Sequence, residues 1–451
     1  MQFAVVVLFL VFLLIAVRRI GSFRLPIWGI MTAGAVLVLL TGQITIPDAF
    51  LSIQWETILF LFGMFVIGAA IDLSGLLRSY ADSVFSDVHS QKKMLLGFIF
   101  AAGFFSAILM NDTIAIIGTP FALWCGKKYQ IPAKTMLFAL AAAVTTGSAA
   151  SPIGNPQNLL IASSSLHNSF LVFLYYLFIP TIIGLFMIYA LLSWTLPKNK
   201  NEKKKEKHEI NRNEKRNEIN RNEKRNEINT GNEINTGNEI NPAGDKNAQD
   251  SEKKKSRFNL LFLTKCSVAL VFLMIAVLIA TSLFSHEFSL VYIPLAGAVL
   301  LLILSNRRKE LLQKTDWSTL LFFISMFILM KAVYVTGFFQ NLLPENFESS
   351  VPILYLTSLI ISQFISNVPY VTFVLPILEN AGSSVISYMT LAAGSTLAGN
   401  LSVFGAASTI IIIQNAEKQN ETLTFLDFLK FGIPLTIAQT ILFIGWLMLL
   451  S

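Results

Sequence analysis

Trp55-Glu-Thr-Ile-Leu-Phe-Leu-Phe-Gly-Met-Phe65 returns 262 residues later as Trp317-Ser-Thr-Leu-Leu-Phe-Phe-Ile-Ser-Met-Phe327. The same register sets Ala70 against Ala332 and Gly75 against Gly337. Upstream, Gly34-Ala-Val-Leu37 answers Gly297-Ala-Val-Leu300; downstream, Phe170-Leu-Val-Phe-Leu174 with Ile179-Pro180 answers Phe425-Leu-Asp-Phe-Leu429 with Ile433-Pro434. Four matches in one order along the chain mark a duplicated half. Between the copies lies a polar stretch built on the nonapeptide Asn217-Glu-Ile-Asn-Arg-Asn-Glu-Lys-Arg225. Such sequence cannot bury enough apolar area to offset its ordering entropy. The predicted organisation is an N-terminal transmembrane repeat over 1–197, a disordered cytoplasmic linker over 198–256 and a C-terminal transmembrane repeat over 257–451.

Composition supports a membrane setting. The chain is 54% hydrophobic and 14% charged, against about a quarter charged in soluble domains. Its mean hydropathy is +0.62. Apolar runs long enough to cross a bilayer recur along both halves, which predicts an all-α polytopic membrane protein. The net charge of +7 comes mostly from the linker and from short loops between apolar runs. That pattern fits the positive-inside bias and excludes a nucleic-acid partner. Cys125 and Cys266 sit far apart at apolar-run edges, so neither a disulfide framework nor a metal site is expected. His89, His167, His208 and His286 fall in loops or the linker, and no Gly-rich phosphate loop occurs. Enzymatic chemistry, a resident cofactor and direct ATP drive are therefore not expected. Met1–Val17 lacks a basic region ahead of its apolar run and is read as a retained membrane helix with its N-terminus outside.

Loop charges set the predicted orientation. Arg18, Arg19, Arg24, Arg78, Lys92, Lys93, Arg307, Arg308 and Lys309 mark cytoplasmic loops, whereas Gly42–Gln54, Ser285–Glu287 and Gln340–Ser350 contain no Lys or Arg. The first half then begins outside and ends inside, and the second does the reverse. Both termini lie outside, and the repeats are of inverted topology in the inner or plasma membrane.

Each half also holds apolar arms too short to span in pairs. Met94–Met110 leads to a second arm, Ile114–Cys125, that covers about 18 Å against a roughly 30 Å core. With basic residues at both ends, the arms are predicted to form a re-entrant hairpin with Asn111-Asp112-Thr113 at its tip. The second half repeats this with Val351–Ile365, the tip Ser366-Asn367-Val368-Pro369 and a return arm to Leu378. A proline follows each tip asparagine at the same spacing, Pro120 and Pro376. Beyond each hairpin the apolar run is interrupted, at Ser151-Pro-Ile-Gly-Asn-Pro-Gln-Asn158 and at Gly399-Asn-Leu-Ser-Val-Phe-Gly-Ala-Ala-Ser-Thr409. Helix breakers free carbonyls that lipid cannot satisfy, so such backbone lines a cavity or repacks as a kink. Two polar tips and two polar breaks at matching places predict a midplane site.

These residues resemble the ion transporter superfamily, the citrate-transporter-like permeases that include dicarboxylate carriers, arsenite-efflux permeases and NhaD-type sodium/proton antiporters. The resemblance covers both halves. Asn111-Asp-Thr-Ile-Ala-Ile-Ile-Gly-Thr-Pro120 is most similar to the arsenite-permease branch, and Gly154-Asn-Pro-Gln-Asn158 to the superfamily's broken helix. Dicarboxylate carriers would carry Ser-Asn-Thr at both tips; here the tips read Asn-Asp-Thr and Ser-Asn-Val-Pro.

The candidate substrate- and ion-binding residues are Asn111, Asp112, Thr113, Ser151, Gly154, Asn155 and Asn158 from the first half. Ser366, Asn367, Asn400, Ser402, Ser408, Thr409 and Lys331 complete the set from the second. An ionisable group at the bilayer centre is costly and faces a cavity or a partner. Asp112 is a candidate for binding Na⁺, for carrying a proton, or for capping the hairpin tip. Lys331 is a candidate partner for Asp112 or attractor of an anion. A coupling Na⁺ is expected near Asn111, Asp112 and Asn155. The expected function is secondary active transport of an oxyanion, an arsenite-like compound or a small carboxylate, coupled to Na⁺ or H⁺. Sodium/proton antiport is the alternative, and a passive channel is disfavoured by the two hairpins. Expected partners are a small inorganic or organic anion, the lipid bilayer and a second copy in a homodimer.

Overall fold

A computed structural model describes residues 3–17, 19–20, 23–24, 26–74, 90–164, 166, 168–196, 262, 265, 269, 276, 291–338, 344, 347–365 and 367–451. The chain divides into two units, Leu196–Lys255 and a second comprising Met1–Thr195 with Ser256–Ser451. The predicted linker over 198–256, the four histidines, Cys266 and Ser366 lie outside the described residues.

The first half contains α1 (Phe3–Val17), α2 (Ile27–Leu40), α3 (Ile46–Ser52), α4 (Trp55–Ser74), α5 (Gln91–Leu109), α6 (Asn111–Tyr129), α7 (Ala133–Ser148), α8 (Pro156–Ala162) and α9 (Ser169–Ser193). The second contains α10 (Tyr292–Leu304), α11 (Arg308–Lys314), α12 (Trp317–Tyr334), α13 (Val351–Ile365), α14 (Asn367–Asn380), α15 (Val385–Leu397), α16 (Ala407–Glu417) and α17 (Phe425–Leu449). A two-residue antiparallel pairing of Arg19–Ile20 with Phe23–Arg24 is a small departure from the all-helical expectation. Five described helices, α4, α5, α9, α12 and α17, are long and apolar enough to cross a membrane.

The duplicated segments become matching elements. α4 and α12 open on Trp55 and Trp317, and α9 and α17 are each 25 residues long with an internal proline, Pro180 and Pro434. Contacts between the halves are reciprocal: α2 packs on α12 and α10 on α4, while α6 packs on α16 and α14 on α8. At the centre stand α7, buried from Thr135 to Ser148, and α15, buried from Ser387 to Leu397. Both are rich in Ala, Gly, Ser and Thr, which let neighbouring backbones approach closely. α5 and α6 pack on α7, and α13 and α14 on α15.

The first hairpin departs from expectation in the length of both arms: α5 is one of the five helices long enough to cross a membrane, and α6 is longer than its apolar run. α6 begins at Asn111 itself and ends at Tyr129, so its 19 residues cover about 28 Å, not the length of its apolar run alone. The tip residues are the first turn of a helix, and the reversal is confined to Met110, at φ 69° and ψ 145°. A residue with a β-carbon adopts that conformation only where its surroundings enforce it, and Met110 is fully buried.

Candidate functional site

The first break is held together by its own asparagines. α7 ends at Ser148, and Asn155 caps α8 by accepting the Asn158 N–H at 2.8 Å, with Pro156 at the first helical position. The Asn158 side-chain amide donates to the carbonyls of Ser148 (3.1 Å), Ala149 (3.4 Å) and Ser151 (3.1 Å), which are the groups the break sets free. Ser151 Oγ accepts the Ile153 N–H at 3.3 Å. Gly154 is required by space: a β-carbon there would lie 2.4 Å from the Ser148 oxygen. Its carbonyl accepts the Asn111 N–H at 2.8 Å, which fastens the hairpin tip to the break. Asn111 Oδ1 in turn accepts the Asp112 N–H at 2.8 Å.

The second break passes through two short 3-10 turns, Ala398–Asn400 and Val403–Gly405. Here Gln363 of α13 performs the task of Asn158, donating to the Ala398 carbonyl at 2.8 Å and accepting from Ser402 Oγ at 2.8 Å. The two breaks are tied reciprocally to the opposite half. Thr396 Oγ1 accepts from Asn155 Nδ2 at 3.2 Å and donates to Asn158 Oδ1 at 3.1 Å. Asn400 Nδ2 donates to Thr146 Oγ1 at 2.9 Å and to Gln439 Oε1 at 2.8 Å. Thr146, Thr396, Gln363 and Gln439 escaped the sequence reading. The available signal was an uncharged polar residue inside an apolar run, with Thr146 and Thr396 just ahead of the breaks.

Both tips and both breaks meet at one cavity of about 20 Å³. Asn111 and Asp112 line it from α6, Pro156 and Gln157 from α8, and Asn367, Val368 and Pro369 from α14. Ala406 and Ala407 line it from the start of α16, and Phe322 and Phe323 close it from α12. Four helix N-termini thus point their partial positive charge toward one volume. Asp112, 2% exposed, is the ionisable side chain in that lining. Of the candidate residues, Asn367 in that lining has its Oδ1 buried without a hydrogen-bond partner, and so, elsewhere in the two tips and the second break, do Thr113 Oγ1, Asn400 Oδ1, Ser408 Oγ and Thr409 Oγ1. Orphaned buried oxygens are rare and call for a reason. A site that takes an ion or solute supplies one.

Lys331 stands apart from this cluster. It lies in the last turn of α12, is exposed, and has its Nζ 5.7 Å from the centre of the Tyr334 ring. Among the described residues no ion pair joins it to Asp112.

The citrate transporter family model matches residues 9–385. The chain belongs to the citrate transporter family. It is 27% identical to the rice silicon efflux transporter LSI3 over 90% of this chain and 89% of that protein. It is 26% identical to a 46 kDa membrane protein of Mycobacterium leprae over 90% of this chain and 89% of that one. The pig P protein is 24% identical over 97% of this chain, which spans 58% of that longer protein. Among solved structures, the YdaH transporter of Alcanivorax borkumensis is similar at 14% identity with a TM-score of 0.48, covering 99% of this chain and 96% of that chain. As a member of this family the chain is a polytopic membrane transporter, and the matched region spans both hairpins and the first break.

Proposed function

We propose that this transporter moves a small anion by secondary active transport, with Asp112 as the group that couples the movement to Na⁺ or H⁺. The observation that carries this is the meeting of four helix N-termini and one buried carboxylate at a cavity of about 20 Å³. Converging helix N-termini favour an anion, and the Asp112 carboxylate already occupies that field. An incoming anion requires that the Asp112 charge be cancelled first, by a proton or by a cation ligated with the unpartnered Asn367 Oδ1 of the same lining. Anion and cation then bind together, which is the condition for symport. A cavity of this size admits about one water-sized species, so the anion is accommodated only in a state where the hairpin tips have parted.

The same cavity favours a second reading, sodium/proton exchange, because its size and oxygen lining suit a bare cation as cargo. The family description names citrate and the rice relative's name silicon, so the cargo of this chain is open to direct measurement. Uptake into proteoliposomes of arsenite, sulfate, phosphate, citrate and succinate, each under an imposed Na⁺ or pH gradient, tests the proposal. Accumulation of at least one anion supports it; gradient dissipation without any anion supports exchange instead.

We further propose inverted topology in the plasma membrane with both termini outside, a reading supported by the asymmetry of basic residues between loops. Cysteines introduced at Ser52 and Ser350 are expected to react with an impermeant maleimide from outside in intact cells, while one at Ser90 reacts only after permeabilisation. Labelling of all three from one side would rule out the inverted arrangement.

A further inference from the structure

A second cavity, of about 240 Å³, runs between α4 and α6. At one end are Asp72, Lys314 and Asp316, and at the other Thr113, next in sequence to Asp112. The tip of the first hairpin therefore separates this vestibule from the smaller cavity, with Thr113 lining one and Asp112 the other. Thr113 is 3% exposed and its Oγ1 has no hydrogen-bond partner. α4 lies hard against the tip there: a β-carbon on Gly68 would stand 2.7 Å from Thr113 Cγ2, so the inner end is closed by the contact of Thr113 with α4.

The mouth is charged in an ordered way. Lys314 Nζ lies 2.5 Å from Asp72 Oδ2, joining the two halves, with the side chains 48% and 45% exposed. Asp316 is held as the cap of α12, accepting the Thr319 N–H at 3.1 Å and the Thr319 hydroxyl at 2.6 Å. With Lys314 offset by Asp72, Asp316 leaves the lining with one net negative charge. A cleft of one sign between low-dielectric walls concentrates the opposite ion and repels its own.

We propose that this vestibule is the route by which a small monovalent cation reaches Asp112 from the side on which Lys314 lies, and that the net charge of Asp72, Lys314 and Asp316 together sets its charge selectivity. The inference rests on the reading of Asp112 as the coupling group and adds the path to it. The anion, repelled at this mouth, reaches the site by the opening of the hairpin tips instead.

The test is chemical access in the full chain, with Cys125 and Cys266 replaced by Ala. Thr113→Cys and, separately, Ala69→Cys are treated from the Lys314 side with a trimethylammonium and a sulfonate methanethiosulfonate. Rates are taken relative to those of a free thiol. The cationic reagent is expected to react about tenfold faster than the anionic one at both positions. Asp72→Lys makes the lining net positive and should reverse the preference, and Asp72→Lys with Lys314→Asp should restore it. Equal rates, a preference unmoved by Asp72→Lys, or no modification at either cysteine would overturn the proposal. Failure of Asp112→Asn to uncouple transport would sink the reading of Asp112 while leaving these rates unchanged, so the two failures are distinguishable.

Discussion

Asp112→Asn is expected to abolish gradient-driven accumulation. A tenfold gradient of one coupled cation is worth 1.4 kcal/mol and sustains about tenfold accumulation of substrate. In the variant the ratio should fall to about one. Asparagine keeps the shape and the hydrogen-bonding capacity of the side chain and removes the charge alone. The Asn111 Oδ1 contact to the residue 112 N–H is made by backbone and should persist. The protein therefore still inserts and folds, which yield and thermal unfolding in detergent will check. If the coupling ion is a proton, substrate counterflow partly survives, because the amide mimics the protonated acid. If it is Na⁺, counterflow falls as well, because the cation loses its charged ligand. Accumulation equal to the parent at every pH and sodium level would reduce Asp112 to a cap of the hairpin tip.

Asn158→Ala is expected to act through stability, not through substrate affinity. The side-chain amide of Asn158 satisfies three carbonyls freed by the first break and accepts from Thr396 across the halves. Alanine leaves those carbonyls buried with fewer donors at about 1–3 kcal/mol each, so a loss of about 3 kcal/mol is expected after partial compensation. Ser148 and Ser151 retain backbone donors from Ser151 and Gly154, at 3.3 and 3.2 Å, which supply that compensation. The expected result is a marked fall in unfolding temperature in detergent and in the yield of monodisperse protein. Residual folded protein should bind substrate with near-parent affinity. An unchanged unfolding temperature with a raised apparent KM would instead make Asn158 a ligand.

The outcome for Asn158 shows where the sequence stops being legible. Features written in local composition were readable: the duplicated segments that open on Trp55 and Trp317, the arm Val351–Ile365, and the positions of both tips and both breaks. Apolar length, basic loop ends and helix breakers act over a few residues, and duplication doubled each signal. Partner identity was not readable. Nothing near Asn158 shows that its amide is used on Ser148, Ala149 and Ser151, or that Gln363 serves the second break. The helical start at Asn111 depends on the distant Gly154 carbonyl, so the tip looked like a loop. Lys331 was misplaced for a related reason. Counting residues into an apolar run gives depth along a helix but not the direction its side chain takes.

Anion and cation are expected to move together through the cavity at Asp112. Purified protein in proteoliposomes, loaded with a pH- or Na⁺-sensitive dye and held at zero membrane potential, tests it most directly. Cation entry is expected only when a transported anion is added on the same side, in a fixed ratio to anion uptake, and no such entry with Asp112→Asn. Sodium/proton exchange that runs at full rate without any anion would contradict it.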